Sequence, residues 1–349
     1  MNIWIDVCHT PQFNFFKPVI EVLSQQGHVV YLTVLDRGKT PKIVQHEVGC
    51  FPNVKVYIVG RHRMTKWSAI IEANLLRIIK FMIWVTPKHI DVALTTSMFP
   101  PIIGKICGFP TYTFGDDAQV FDFKIKNRLA TKSHMCMYEW TLNQPKPEEV
   151  EILRCLKEWA YLNPRTFKPN VKVLEKYGVK PKEYMFLREV TVGTINYTGQ
   201  ESGAILGIKD LIPKGMKVLF SLEEKKRRGE YPDDWILLQE PIEDIHSLIY
   251  YAAGLVSSGD SMAREAALLG VPAYYLGIRY SMPANAAASK VSSLQNQKTM
   301  PFAQWIEKVN ELRNEGVERL TEEQIKLRQH IDEEFIDINQ YMLGLVEGV

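Results

Sequence analysis

The sequence predicts an α/β protein built from two doubly wound parallel sheets, and three observations lead there. Short β-rich runs alternate with longer helical patterns through the first half. A stretch punctuated by proline and asparagine breaks that alternation between about residues 161 and 182. The alternation then restarts. Parallel strands need a crossover long enough to hold a helix, so this pattern reads as successive βαβ units. At 349 residues the chain has room for two domains of ordinary size.

Each element follows from its local pattern. Residues 3–7 read as the first strand. Phe16, Val19, Ile20 and Leu23 recur at helical spacing over 15–26, and Gly27 stands where a C-cap glycine belongs. The run 28–35 is apolar almost throughout, as a strand covered on both faces is. Residues 54–59, 91–95 and 111–114 continue the strand series, with helices over about 66–85 and 101–107. Asn163-Pro164, Lys168-Pro169 and Lys180-Pro181 mark a linker. Beyond it, 184–187, 216–220, 235–238, 254–257 and 272–276 read as strands, with helices over 245–252 and 262–269. The charged tail reads as helix, and Thr321-Glu322-Glu323-Gln324 has capping-box spacing. The expected organisation is an N-terminal domain over 1–165, a linker over 166–182, a C-terminal domain over 183–320, and a helix over 321–349 packing back on the N-terminal domain. The two domains are expected to face a cleft, with ligands at the carboxyl ends of the strands.

Composition narrows the function classes. The chain is 46% hydrophobic and 23% charged, which is globular rather than disordered or fibrous. Forty-two Lys and Arg against 40 Asp and Glu leave a net charge of +2, so nucleic acid is not an expected partner. Five scattered cysteines without a CxxC pair indicate neither a disulfide framework nor a cysteine zinc site, and fit a reducing cytoplasm. The first seven residues lack the basic flank and long apolar run of a secretory signal. Glu72, Arg77 and Lys80 interrupt the most apolar stretch, so it reads as a core or interfacial helix rather than a membrane span.

The most informative segment runs from Ser257 through Ser258-Gly259-Asp260-Ser261-Met262-Ala263-Arg264-Glu265 to Pro272. It reads as strand, glycine turn, helix, glycine stop, strand. Backbone N–H groups at such a turn suit a phosphate anion. Glu265, about one helical turn in, could accept two ribose hydroxyls. The plainer alternative is an ordinary βαβ turn with a solvated glutamate.

This segment resembles the donor-nucleotide motif of GT-B glycosyltransferases. It is similar to the N-acetylglucosaminyltransferase of peptidoglycan synthesis and to the non-hydrolysing UDP-N-acetylglucosamine 2-epimerases. The chain as a whole resembles a GT-B-like family of archaeal and bacterial proteins catalogued as a domain of unknown function. Asn2-Ile3-Trp4-Ile5-Asp6 with Phe15-Phe16-Lys17-Pro18, Gly27-His28-Val29-Val30, Leu187-Arg188-Glu189, and Leu248 to Ala252 running into Met262 to Pro272 carry that resemblance, over most of residues 1–280.

The resemblance implies two Rossmann-like domains in a GT-B fold and a nucleotide-sugar substrate, a UDP-sugar in kind, with no cofactor and no metal. Gly259, Asp260, Ser261 and Met262 would cradle the donor diphosphate, and Glu265 would bind the ribose. The loop 239–244 would lie near the base, and Arg188 could neutralise phosphate charge; its alternative is an ion pair. The loop from Cys8 to Asn14 would approach the acceptor, with His9 as general base and Thr10 and Asn14 as acceptor contacts. Asp116 and Asp117 end a strand, as an acceptor contact and a second candidate base, or as a turn. Asp6 reads as structural and Cys8 as a buried thiol. Three departures stand out: Asp260 in a turn that is glycine-rich in the related family, His9, Gln12 and Asn14 after strand one, and Glu189 with Val192-Gly193-Thr194-Ile195-Asn196 after Arg188.

No HExxH, DxD, P-loop or GxGxxG signature is present. Residues 51–90 hold seven basic side chains against Glu72 alone, interspersed with apolar ones. That pattern over about 61–85 fits peripheral contact with anionic lipid, at the inner face of the membrane, or else a basic-ended core helix. The leading expectation is a metal-independent nucleotide-sugar glycosyltransferase acting on a glycan or lipid-linked acceptor. The alternatives are a 2-epimerase-like enzyme and a non-catalytic nucleotide-sugar or glycan-binding protein.

Overall fold

A computed structural model describes residues 1–61, 76–118, 122–141, 145–192, 199–239, 242, 244–280 and 282–349. The chain divides into two compact units, Met1–Tyr161 with Ile336–Val349, and Leu162–Phe335.

The first unit is a seven-stranded sheet in which every neighbouring pair is parallel. Its strands are β1 Asn2–Val7, β2 Val29–Asp36, β3 Val54–Arg61, β4 Val92–Thr95, β5 Thr111–Gly115, β6 Lys132–Cys136 and β7 Val150–Leu153, in spatial order β3-β2-β1-β4-β5-β6-β7. The chain builds outward from β1 to β3, then returns to lay β4 on the other side of β1. The second unit is a six-stranded parallel sheet of β8 Tyr184–Glu189, β9 Lys217–Leu222, β10 Ile236–Leu237, β11 Gly254–Ser257, β12 Ala273–Tyr275 and β13 Leu294–Asn296. Its order, β10-β9-β8-β11-β12-β13, reverses direction between β8 and β11. Such reversals are where open α/β sheets hold ligands.

Several elements differ from the sequence reading. The first helix is Thr10–Gln25, starting five residues earlier than its apolar spacing suggests. Pro11 is tolerated in the first turn, where its missing N–H has no partner to lose. Gln12 reaches back to accept the Cys8 N–H at 2.6 Å, which closes that turn. Gly27 has φ +86, the left-handed conformation its C-cap position requires. Of the helix expected over 66–85, residues 76–85 fall within the described residues, and Arg77–Val85 is α-helix there. Strands β6, β7 and β13 are additions to the sequence reading. The capping box is overturned: Thr321 lies inside the helix Val317–Glu334 and donates its hydroxyl to the Val317 carbonyl at 2.8 Å. Gly316 occupies the N-cap position instead. The tail is two helices, and the second, Ile338–Glu347, begins at Asp337, whose side chain accepts from the N–H groups of Asn339 and Gln340.

Asp6 organises the first unit's core. It is wholly buried at the end of β1 and accepts from Thr33 on β2 at 2.7 Å, Ser97 after β4 at 2.7 Å, and Arg77 at 2.9 Å. The Arg77 guanidinium lies over Phe99 at 4.5 Å and Phe81 at 5.0 Å. Nearby, Trp4 packs on Phe81, Trp84 and Phe109, with its indole N–H donated to Thr33 at 2.8 Å. A buried pair of charges is held by mutual attraction and added hydrogen bonds, and removal of one partner leaves the other desolvated. Asp6→Ala is therefore expected to lower stability by about 3–5 kcal/mol, read as a fall in the urea midpoint of the transition reporting on the first unit. An unchanged midpoint would show that Asp6 does not hold this core together.

Candidate functional site

In the second unit β11 ends in Ser257 and turns through Ser258-Gly259 into the helix Asp260–Leu268. Ser257 Oγ accepts the Gly259 N–H at 3.0 Å. The Ser258 N–H donates to the Arg188 carbonyl at 3.0 Å, and Ser258 Oγ accepts the Val190 N–H at 2.9 Å, so the turn is stitched to the end of β8. Gly259 takes the N-cap position with φ −102 and ψ 139, and no side chain caps the helix. The first N–H groups of a helix lack intrahelical partners, and here they start from a small-residue turn at the sheet reversal. Ser261 is exposed and Met262 half-buried.

Glu265 sits on that helix with 12% of its side chain exposed. His246 Nε2 lies 3.5 Å from Glu265 Oε1. His246 comes from the helix Ile245–Tyr250, whose N-cap Asp244 adopts φ +44 and accepts the Ser247 N–H. Of the loop expected near a base, 239, 242 and 244 are described, and 240, 241 and 243 lie outside the described residues. Arg188, at the end of β8, donates to Ser221 Oγ at 2.5 Å and pairs with Glu223, which also accepts the Thr191 N–H. Most of the run 192–196 lies outside the described residues.

In the first unit His9 is the N-cap residue of Thr10–Gln25, extended at φ −160 and ψ 163. Burial pushes its imidazole down to about 4, and the cations Lys157 and Arg37 add to that, while Asp116 opposes it. Among the described residues its Nδ1 has no hydrogen-bond partner. Lys157 reaches Asp116 at 2.9 Å. The structure thus gathers His9, Asp116 and Lys157 at the carboxyl end of the sheet; Asp117 follows, half-buried. Thr10 Oγ1 lies 3.4 Å from Thr40 Oγ1, and Asn14 stands one turn further along the helix. The Cys8 thiol accepts from Arg77 at 3.2 Å, and burial raises its pKa, so it stays protonated.

Sequence reasoning missed Lys157, His246, Arg264, Arg279 and Asn285. His246 falls in the helix expected over 245–252, and Lys157 in a stretch to which the sequence reading assigns no element. Nothing in their spacing announces the residues they meet, which come from distant segments. Among the described residues, no group of three or more His, Cys, Asp or Glu could hold a metal ion.

No family model matches the chain. An uncharacterized protein of Methanocaldococcus jannaschii is 22% identical over 293 residues, covering 78% of this chain and 80% of that protein. Among solved structures, a spinosyn rhamnosyltransferase complexed with spinosyn aglycone matches with a TM-score of 0.62 and 12% identity over 99% of this chain and 100% of that one. The UDP-GlcNAc 2-epimerase of Neisseria meningitidis, bound to UDP-GlcNAc, matches at 0.64 and 12% identity over the full length of both. MurG of Acinetobacter baumannii matches at 0.55 and 15% identity over 100% and 99%. The chain has the GT-B fold these proteins share.

The histidine environment makes a prediction of its own. His134, stacked on Phe114 at 4.9 Å, is also pushed down to about 4 by burial. A histidine whose folded pKa lies below its unfolded value near ~6.5 binds its proton less readily when folded. Its stabilising contribution is complete above that value and is lost as pH falls through about 4. The His9 and His134 imidazole signals should titrate by NMR with midpoints near 4, and stability should decline steadily from pH 6.5 downward. Midpoints near ~6.5 would show that both rings are solvated.

Proposed function

We propose that the chain is a nucleotide-sugar-dependent glycosyltransferase that acts on a glycan or lipid-linked acceptor. The observation that carries this reading is the uncapped start of the helix Asp260–Leu268 at the sheet reversal, with the partly exposed Glu265 carboxylate on the same helix. The reading also draws on a fold shared with glycosyltransferases and with an epimerase bound to UDP-GlcNAc.

In this reading the second unit holds the donor. Glu265 accepts the two ribose hydroxyls, with His246 Nε2 alongside to fix its rotamer. The helix start takes the diphosphate, and its N–H groups stabilise the charge that develops as the nucleoside diphosphate leaves. The first unit supplies the acceptor side through Thr10, Asn14 and Asp116, with His9 as base. The acceptor oxygen forms its bond to the sugar C1, the bond from C1 to the diphosphate oxygen breaks, and the acceptor's proton passes to the His9 imidazole. Burial, Lys157 and Arg37 keep the ring neutral at neutral pH but weaken it as a base, Asp116 opposes them, and Asp117 is the second candidate base. Holding the leaving group with N–H groups and basic residues requires no bound metal.

A thermal-shift screen against UDP, GDP, CDP, dTDP and their sugars tests the donor site, because a ligand that binds only the folded state raises its melting temperature. One nucleotide family should stabilise the protein, and Glu265→Ala should weaken that binding by about 1–3 kcal/mol. Full affinity in the folded variant sinks the ribose assignment. Release of the nucleoside diphosphate that depends on added acceptor identifies transfer. Interconversion of two sugars without net release identifies the epimerase reading favoured by the Neisseria meningitidis match.

The acceptor side carries a second proposal. On the helix Arg77–Val85, Phe81 and Val85 face the core, while Ile79 and Ile83 are 46% and 72% exposed. Ile58 on β3 is exposed as well, and exposed Lys80 and Arg61 lie in the same segments. Among the described residues no helix is long and apolar enough to cross a membrane. An apolar stripe flanked by cations suits an anionic lipid surface, where the side chains insert shallowly and the cations meet headgroups. Pelleting with phosphatidylserine-containing vesicles should be salt-sensitive and fall markedly in Ile79→Glu/Ile83→Glu. Equal pelleting of both proteins removes the proposal.

A further inference from the structure

Asp260 departs from the glycine-rich turn that the resemblance implies, and a carboxylate there would repel a diphosphate if it faced it. The structure places two arginines on it instead. Asp260 Oδ2 accepts from Arg264 Nη1 at 3.3 Å and from Arg279 Nη1 at 3.3 Å.

The two arginines are not equivalent. Arg264 lies one turn along the same helix, is 4% exposed, and donates to Asn285 Oδ1 at 2.6 Å. Arg279 arrives on the connection after β12 and is 26% exposed. Its backbone is fixed on both sides: its N–H donates to Tyr275 Oη at 3.2 Å, and its carbonyl accepts from Asn285 Nδ2 at 2.7 Å. Tyr275 and Asn285 are both buried. The connection passes so close over Tyr275 that a Cβ at Gly277 would stand 2.3 Å from Tyr275 Oη, so only glycine fits there. The solvent-reaching guanidinium is thus held at the helix start by groups that are themselves locked, as a preorganised binding group should be.

A second observation points to a ligand at the same turn. Gln200 is buried and donates Nε2 to the Ser258 carbonyl at 2.9 Å. Its Oε1 has no hydrogen-bond partner among the described residues. A hydroxyl-bearing molecule seated on the turn would supply the missing donor.

Resting on the donor site proposed above, we infer that Arg279 is the residue that neutralises the donor diphosphate, with Asp260 as its positioning residue. Asp260 is then a tether that aims a cation, and Arg188 serves its own strand ends through Ser221 and Glu223.

Isothermal titration of the full chain with UDP and with uridine tests this, repeated with the other nucleoside and diphosphate pairs if another base is preferred. Wild type should bind UDP more tightly than uridine. Arg279→Gln should lose about tenfold in UDP affinity, the scale of a charge-assisted contact, with uridine affinity unchanged. Asp260→Asn, nearly isosteric, should lower UDP affinity by about three- to tenfold and spare uridine, whose binding also reports that each variant is folded. Higher UDP affinity in Asp260→Asn would overturn the tether, because it would mean that the carboxylate faces the ligand. Equal losses for UDP and uridine would overturn the diphosphate assignment and leave Arg279 a structural role. A wild type that binds UDP and uridine alike overturns this inference while leaving the nucleotide site standing. A wild type that binds none of the four nucleoside diphosphates overturns both.

Discussion

Everything functional in the two units depends on one constraint of parallel sheets: all strands of a sheet end on the same edge. Where the strand order reverses, the connections on either side leave toward opposite faces, and the gap between them is open to a ligand. In the first unit that reversal lies between β1 and β4, and in the second between β8 and β11. The side chains with chemistry sit just past those strands. Cys8 and His9 follow β1, Ser97 follows β4, Arg188 and Glu189 end β8, and Ser258-Gly259 follow β11. Neither sheet needed a special loop to concentrate them; the winding order did it.

Charge is handled in two ways at these edges, and burial decides between them. Asp6 and Arg77 are sealed within the first unit's core, where the pair fixes three strands and a helix to each other. At His9 burial and the surrounding cations instead hold an imidazole neutral. Asp260 combines both modes. It is buried with Arg264, while its other arginine, Arg279, reaches toward solvent. A carboxylate beside an anion site is unfavourable only if it faces the anion, and one that bridges two guanidiniums is neutralised by its own partners.

The fold was legible where hydrophobic period and punctuation agreed. Residues 28–35, 184–187 and 254–257 are apolar enough to announce strands covered on both faces, and the Ser257–Pro272 segment announced its turn and helix. Strands β6, β7 and β13 did not show, because they are three to five residues long and carry Lys132, His134, Glu151 and Gln295 among their apolar positions. The capping-box reading failed because the same spacing occurs inside a helix, where Thr321 bonds back to Val317 rather than forward. Gly259 and Glu265 could be picked from sequence because a turn and the helix after it are contiguous. Arg279, Asn285, His246 and Lys157 could not. Each meets its partner through a separate connection, so the pairing exists only once the sheet order is known.

The departures after Arg188 take on a structural meaning in the same terms. Glu189 looked like a polar site residue that had changed identity. In the folded chain it is buried, and its Oε2 accepts the Ile205 N–H at 2.8 Å and the Tyr231 hydroxyl at 3.4 Å. Burial raises its pKa, and the hydrogen bonds it accepts pull the other way. Through Oε2 it fastens the segment that returns from β8 to the core. On the same strand end Arg188 donates to Ser221 and pairs with Glu223. At the neighbouring ends of β11 and β12, Asp260 brings two arginines together at the start of a helix.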